Sequence, residues 1–224
     1  MRDFSCASVI KELKSHKNPE NVMGMARFGI NAKNALGIKV PVLRSLAKKI
    51  GKNHRLAMEL WASGIHEARW LAGMVAESGK MTEKQMDFWV GQFDSWDICD
   101  SVCLNFFYKM PNAYIKVKQW AQSEKEFIRR AGFALMASLA LHDKSASDEK
   151  LLQFFPYIRK YSDDNRNFVK KAVNWALRQI GKRNIRLCRQ ALVLSHELRA
   201  SGGASARWIA NNAINELDKK IKKF

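Results

Sequence analysis

Four stretches of the chain place a basic residue shortly before an alanine: Arg69-Trp70-Leu71-Ala72, Ile128-Arg129-Arg130-Ala131, Val169-Lys170-Lys171-Ala172 and Arg207-Trp208-Ile209-Ala210. Each falls where the second helix of a predicted helical hairpin begins. The alanines are 59, 41 and 38 residues apart, and the last two intervals are close to one helical-repeat period of about 40 residues. A helix pair of that length cannot bury its apolar face alone, so the pattern asks for neighbours stacked on one another.

The rest of the chain permits such a stack. Four prolines and twelve glycines interrupt 224 residues, and alternation of β-branched residues is nearly absent, so helices are the economical reading. The pattern predicts helices over 4–16 and 19–28, a Gly- and Asn-rich loop over 29–41, and a helix from Pro41 through Ile50. Hairpins follow: 54–63 with 65–77, 82–93 with 95–109, 112–122 with 126–141, 147–161 with 165–181, and 185–200 with 205–222. The separators are short, and no interdomain linker stands out. The expectation is an all-α, HEAT/armadillo-like α-solenoid of stacked hairpins with a concave basic groove, residues 1–224 forming a single domain.

Charge points to a polyanionic partner. The chain carries 39 Lys and Arg against 21 Asp and Glu, a formal net charge of +18, and nucleic acid is the commonest partner of such a surface. From Leu151 onward there are 16 basic and 5 acidic residues, so that third alone holds +11. Basic residues repeated along a curved helical stack would meet a rod-shaped polyanion such as a duplex.

Other classes are disfavoured. No apolar run approaches the roughly 18 residues that span a bilayer, the start Met1-Arg2-Asp3-Phe4 lacks a signal-peptide core, and the basic residues form no single amphipathic stripe, so a cytoplasmic protein without a membrane partner is expected. Cys6, Cys99, Cys103 and Cys188 form no CxxC pair, and His16, His54, His66, His142 and His196 show no ligand spacing. No metal or cofactor is expected. Glycine-rich phosphate loops are missing, Ser and His show no nucleophile arrangement, and no lysine is singled out for Schiff-base chemistry.

The chemically dense stretch is Asp94-Ser95-Trp96-Asp97-Ile98-Cys99-Asp100-Ser101-Val102-Cys103, with three carboxylates and an indole in a strongly basic chain. If Trp96 opens a helix, Asp100 shares its face one turn on, whereas Asp97 is rotated by about 100°. One face then offers an indole and a carboxylate to the same ligand. Asp94 and Asp97 suit the helix N-terminus and its dipole. Trp61, Trp70, Trp89, Trp120 and Trp208 recur at helical spacing and read as packing residues. Lys170, Lys171, Arg129 and Arg178 are candidate phosphate contacts.

Four motifs in order over nearly the whole chain resemble the AlkD-like DNA alkylation repair glycosylases: Leu36-Gly37-Ile38-Lys39-Val40-Pro41, Trp96-Asp97-Ile98-Cys99-Asp100-Ser101, Phe127-Ile128-Arg129-Arg130-Ala131, and Phe168-Val169-Lys170-Lys171-Ala172-Val173-Asn174-Trp175-Ala176-Leu177-Arg178. The resemblance implies a HEAT-like solenoid holding duplex DNA and hydrolysing the N-glycosidic bond of N3- or N7-alkylated purines without base flipping. Carried over, Trp96 and Trp175 match the tryptophans flanking the lesion's deoxyribose, Asp100 the catalytic carboxylate, and Arg130 the arginine gripping the backbone nearby. Phe28 stands where members often have tyrosine. Phe168 matches one of two neighbouring aromatic residues, and Asn167 replaces the other. The expected partner is double-stranded DNA containing alkylated purines, met by a monomer. Two rivals remain at this stage: a non-catalytic binder of distorted or branched DNA on the same scaffold, and a solenoid that binds acidic peptides.

Overall fold

The computed structural model describes residues 4–201 and 203–224. Among these residues are fourteen α-helices, two 3-10 turns and no strand, as the scarcity of breakers and of strand patterning led us to expect. The chain divides into two compact units, Met1–Met110 and Pro111–Phe224.

The first unit contains α1 (Cys6–Ser15), α2 (Pro19–Arg27), α3 (Val40–Ile50), α4 (His54–Ala62), α5 (His66–Val75), α6 (Glu83–Gly91) and α7 (Trp96–Asn105), with 3-10 turns at Ser78–Lys80 and Phe107–Lys109. Local chemistry sets the helix starts. Asn18 and Asn53 each accept a hydrogen bond from the amide three residues on, and Thr82 with Gln85 forms a capping box. An aromatic cluster fills the core: the Trp61 and Trp89 rings stack 4.2 Å apart, and Phe106 and Phe107 lie 6.0 and 6.3 Å from Trp89. Those phenylalanines also explain why α7 stops before the predicted 109. At Phe106 the backbone leaves helical geometry, and both rings turn into the core.

The long loop between α2 and α3 is organised by one carboxylate. Glu67, 1% exposed, accepts hydrogen bonds from the backbone amides of Leu36 (2.8 Å), Gly37 (2.6 Å) and Ile38 (3.2 Å). Three donors on one buried anion offset much of its desolvation and hold the loop against α5. The chain can bend there because Gly37 adopts φ +76°, and a Cβ at that position would lie 2.2 Å from the Asn18 carbonyl oxygen.

The second unit contains α8 (Ala113–Ala121), α9 (Glu126–His142), α10 (Asp148–Leu152), α11 (Phe155–Tyr161), α12 (Asn167–Gly181), α13 (Ile185–Ser201) and α14 (Ala204–Ile221). The helix expected over 147–161 is two helices, α10 and α11, because Pro156 fits the first turn of a new helix but not the interior of a continuous one. α9 packs on α8 and α12, and α12 on α13 and α14. The repeated alanines have a common role in this stacking. Ala72 on α5, Ala131 on α9, Ala172 on α12 and Ala210 on α14 are all 0% exposed. At Gly132 the approach is closer still, since a Cβ there would sit 2.4 Å from the backbone nitrogen of Ala121.

A second buried carboxylate ties the turn before α12 to α9. Asp164 accepts from Arg129 at 2.7 Å and from Arg166 at 2.6 Å, while the Arg129 guanidinium lies 4.3 Å from the centre of the Tyr161 ring. Burial pushes the Asp164 carboxyl up, but hydrogen bonds from Arg166 and Arg129 outweigh it and hold it down at about 2. A carboxyl depressed in the fold stabilises above its unfolded value of about 3.9 and loses that contribution as pH falls through the folded value.

Two outcomes are expected. Glu67→Gln should destabilise the protein by about 1–3 kcal/mol and speed hydrogen exchange at the Leu36, Gly37 and Ile38 amides. Asp164→Asn should cost about 3–5 kcal/mol in denaturant unfolding, since it leaves buried Arg129 only the exposed Glu124, 3.4 Å away, as an anion, and should flatten the loss of stability that the wild type shows as pH falls from about 4 to about 2.

Candidate nucleic-acid interface

In the first unit the site begins at the turn into α7. Ser95 has extended backbone, φ −150° and ψ 142°, and its hydroxyl, instead of capping the helix, donates to Asp97 Oδ1 at 2.6 Å. Trp96 is the first helical residue. Its indole Nε1–H donates to the Phe28 carbonyl at 3.0 Å, which fixes the side chain against the end of α2. Trp96 and Asp100 are half-buried and one turn apart on α7, while the Phe28 ring is 74% exposed. A fixed indole and a carboxylate on one helix face can meet a cationic ring system through cation–π attraction and charge.

The two flanking acids do more than favour a helix terminus. Asp97 Oδ2 lies 2.7 Å from His66 Nε2, and Asp94 Oδ2 accepts from the Asn31 side chain at 2.8 Å. Arg69 approaches Asp94 at 4.0 Å while its guanidinium lies 5.5 Å from the Trp61 ring centre. His66 is pulled down by burial, but the Asp97 hydrogen bond and the charges of Asp97, Glu67 and Asp94 prevail and raise it above the usual histidine range. Burial pushes Asp97 up, and its bonds to His66 and Ser95 bring it below the usual carboxylate range. Sequence reasoning missed this pair. His66 and Asp97 are 31 residues apart, and no spacing rule joins them.

In the second unit the candidate residues gather at the starts of α9 and α12. Arg130 is 5% exposed and donates to the Phe168 carbonyl, and the Phe127 and Phe168 rings stack with centres 5.4 Å apart. Asn167 is the first residue of α12, and Trp175, further along, is half-buried. With the Gln179 side-chain oxygen turned toward them, it accepts from Trp175 Nε1 and from Lys182 Nζ, each at 3.1 Å. Lys171 is exposed, and Lys170 lies 5.0 Å from the centre of the half-buried Trp208 ring.

Arg129 and Arg178, expected as phosphate contacts, are engaged within the protein. Arg129 is buried in the Asp164 pair, and Arg178 donates to Glu216, which also accepts from Lys182 at 2.7 Å. The tryptophans divide as well. Trp61, Trp70, Trp89 and Trp120 are buried, as expected for packing residues, whereas Trp208 is only half-buried beneath Lys170. All four cysteines remain thiols. Among the described residues no helix is long and apolar enough to cross a membrane.

Comparison with known proteins agrees with the motif reading. The sequence matches the family described as DNA alkylation repair enzyme over residues 9–217. The chain belongs to that family. A solved structure described as "a new family of proteins related to the HEAT-like repeat DNA glycosylases with affinity for branched DNA structures" superposes with a TM-score of 0.77 at 22% identity, covering 87% of this chain and 83% of the other. That likeness establishes the HEAT-like fold. Two curated relatives are the uncharacterized proteins Lin0241 of Listeria innocua, 24% identical, and Lmo0209 of Listeria monocytogenes, 23% identical, each over 128 residues. The match spans 55% of this chain and 57% of each Listeria protein.

The His66–Asp97 pair carries a pH dependence with a definite sign. A histidine raised in the fold contributes stability that is fully present below its unfolded value of about 6.5 and is lost as pH rises through the folded value. Wild-type stability, followed by urea unfolding, should therefore decline as pH rises above about 6.5. His66→Gln should remove that slope.

Proposed function

We propose that this family member is a DNA glycosylase that hydrolyses the N-glycosidic bond of cationic N3- or N7-alkylpurines in duplex DNA, without base flipping. The observation that carries the reading is the α7 face: Trp96, fixed through its indole nitrogen to the Phe28 carbonyl, one turn before the half-buried Asp100. Family membership and the net charge of +18 support DNA as the partner.

The chemistry asks little of the protein. An alkylated purine already bears positive charge, so when the C1′–N bond breaks its electron pair stays with the base, which leaves neutral. Positive charge then builds on the sugar, as in glycoside hydrolysis. Asp100 stabilises that charge and accepts a proton from the water that attacks C1′. The faces of Trp96 and Trp175 add cation–π attraction of about 0.5–2 kcal/mol each. Phe28 and Phe168 hold the backbone near the lesion, Arg130 supports them through its bond to the Phe168 carbonyl, and Lys170 and the exposed Lys171 are the phosphate contacts. Arg129 and Arg178 act through the packing that supports these residues. An unalkylated purine would leave as a poor anion, so normal DNA is spared. The reading takes the chain as one repeat domain acting as a monofunctional monomer in base excision repair, in the cytoplasm and on the nucleoid when bound.

A second reading is favoured by the affinity for branched DNA stated for the structural relative. In it the same scaffold binds distorted DNA without cleaving it. One assay separates the two: release of free methylpurines from methylated duplex DNA. The wild type should release them, and Asp100→Asn should be slower by a factor of about 10²–10³ while binding duplex equally well. Release no faster than the spontaneous rate, with binding intact, would leave the branched-DNA binder standing. In either case affinity should fall steeply between 50 and 200 mM salt.

A further inference from the structure

The first unit has an apolar pocket of about 380 Å³ bounded by α2, the loop that follows it, α3, and the starts of α5 and α7. Its walls include Met25, Phe28, Leu43 and Trp70, and His66 and Asp97 line it as well. Trp70 and Leu43 are 7% and 2% exposed. The pocket adjoins the α7 face described above, since Phe28 lines it while its carbonyl accepts from Trp96.

Two features show that the pocket has room for an occupant and a preference for its chemistry. The first is Gly24, in the middle of α2 and on the pocket lining. A helix-interior glycine is unfavourable relative to alanine. Neither an unusual backbone angle nor a close neighbour accounts for it, because nothing lies within 4 Å of where its Cβ would be. What the glycine provides is open space. The second feature is His66, 5% exposed, whose Nε2 is bound to Asp97 while Nδ1 has no hydrogen-bond partner among the described residues.

The lining selects among ligand classes. A hydrocarbon would leave Nδ1 unpaired. Small anions are opposed by the lining, where three carboxylates, Glu20, Glu67 and Asp97, stand against one lysine, Lys39. A sugar needs more polar partners than these walls supply. A flat heteroaromatic ring satisfies each condition, because its faces suit the aromatic and aliphatic walls and its edge carries both donors and acceptors, one of which pairs with Nδ1 in either protonation state of His66.

We propose that this pocket binds a single nucleobase-like ring, its faces against Phe28, Trp70 and the aliphatic walls and a polar edge at His66 Nδ1. Two sources offer that chemistry: a free base or nucleoside, and an unpaired nucleotide of bound DNA. The inference goes beyond the glycosylase reading and does not depend on cleavage.

The test uses 2-aminopurine fluorescence with the full-length protein, the probe supplied as its free riboside in one arm and within a duplex opposite an abasic site in the other. A saturable fluorescence change in the first arm identifies a soluble ligand, and a change confined to the second identifies an unpaired nucleotide. In the arm that responds, Gly24→Leu, whose Cβ has nothing within 4 Å of it, and His66→Gln should each weaken the response at least tenfold. If His66→Gln fails to fold, Gly24→Leu decides alone, because its helix loses no contact. Absence of a saturable change in both arms, or a change that persists undiminished in Gly24→Leu, would overturn the proposal. Methylpurine release, measured separately, reports on the glycosylase reading whichever way the pocket result falls.

Discussion

A buried carboxylate is stable only where several donors converge on it, and much of this structure is arranged to meet that condition. With 21 acidic residues against 39 basic ones, acids are the scarcer charge, and several serve as internal staples. Glu67 gathers three loop amides, Asp164 two guanidinium groups, and the half-buried Glu216 the side chains of Arg178 and Lys182. Each joins parts of the chain distant in sequence, and each would be a liability if its donors were removed.

These staples have a functional consequence. They draw particular arginines into the fold, so net charge alone does not say which cations are available to a nucleic acid. Arg129 and Arg178 carry the same charge as Lys171, yet only the lysine is exposed. Around α7 the acids likewise divide the work. Asp94 and Asp97 secure the turn through Asn31 and His66, and Ser95 is drawn into the same network. Trp96 and Asp100 thus stand on a helix whose first turn is held through Asn31, His66 and the Phe28 carbonyl.

Much of the fold was legible because it rests on local rules. The four stretches with a basic residue shortly before an alanine marked second helices, and their alanines are all fully buried. Pro41 marked a helix start, whereas Pro156 divides what apolar spacing alone read as one helix. The Trp96 and Asp100 spacing was readable for the same reason, since residues four apart share a helix face. The His66–Asp97 pair, the Glu67 staple and the open space at Gly24 were not readable. Each depends on which residues meet after the chain has folded back by tens of positions, and neither periodicity nor composition encodes that.

The sequence by itself determined the all-α class, the repeat of helix pairs, the basic balance that favours a polyanion, and an indole and a carboxylate on one helix face. Tertiary structure decided which charges are spent inside the protein, which aromatic rings remain partly exposed, and where the apolar pocket lined by His66 and Trp70 opens. The division follows from range. Helix formation and face periodicity are set within a few residues, whereas burial and long-range ion pairing are properties of the packed chain.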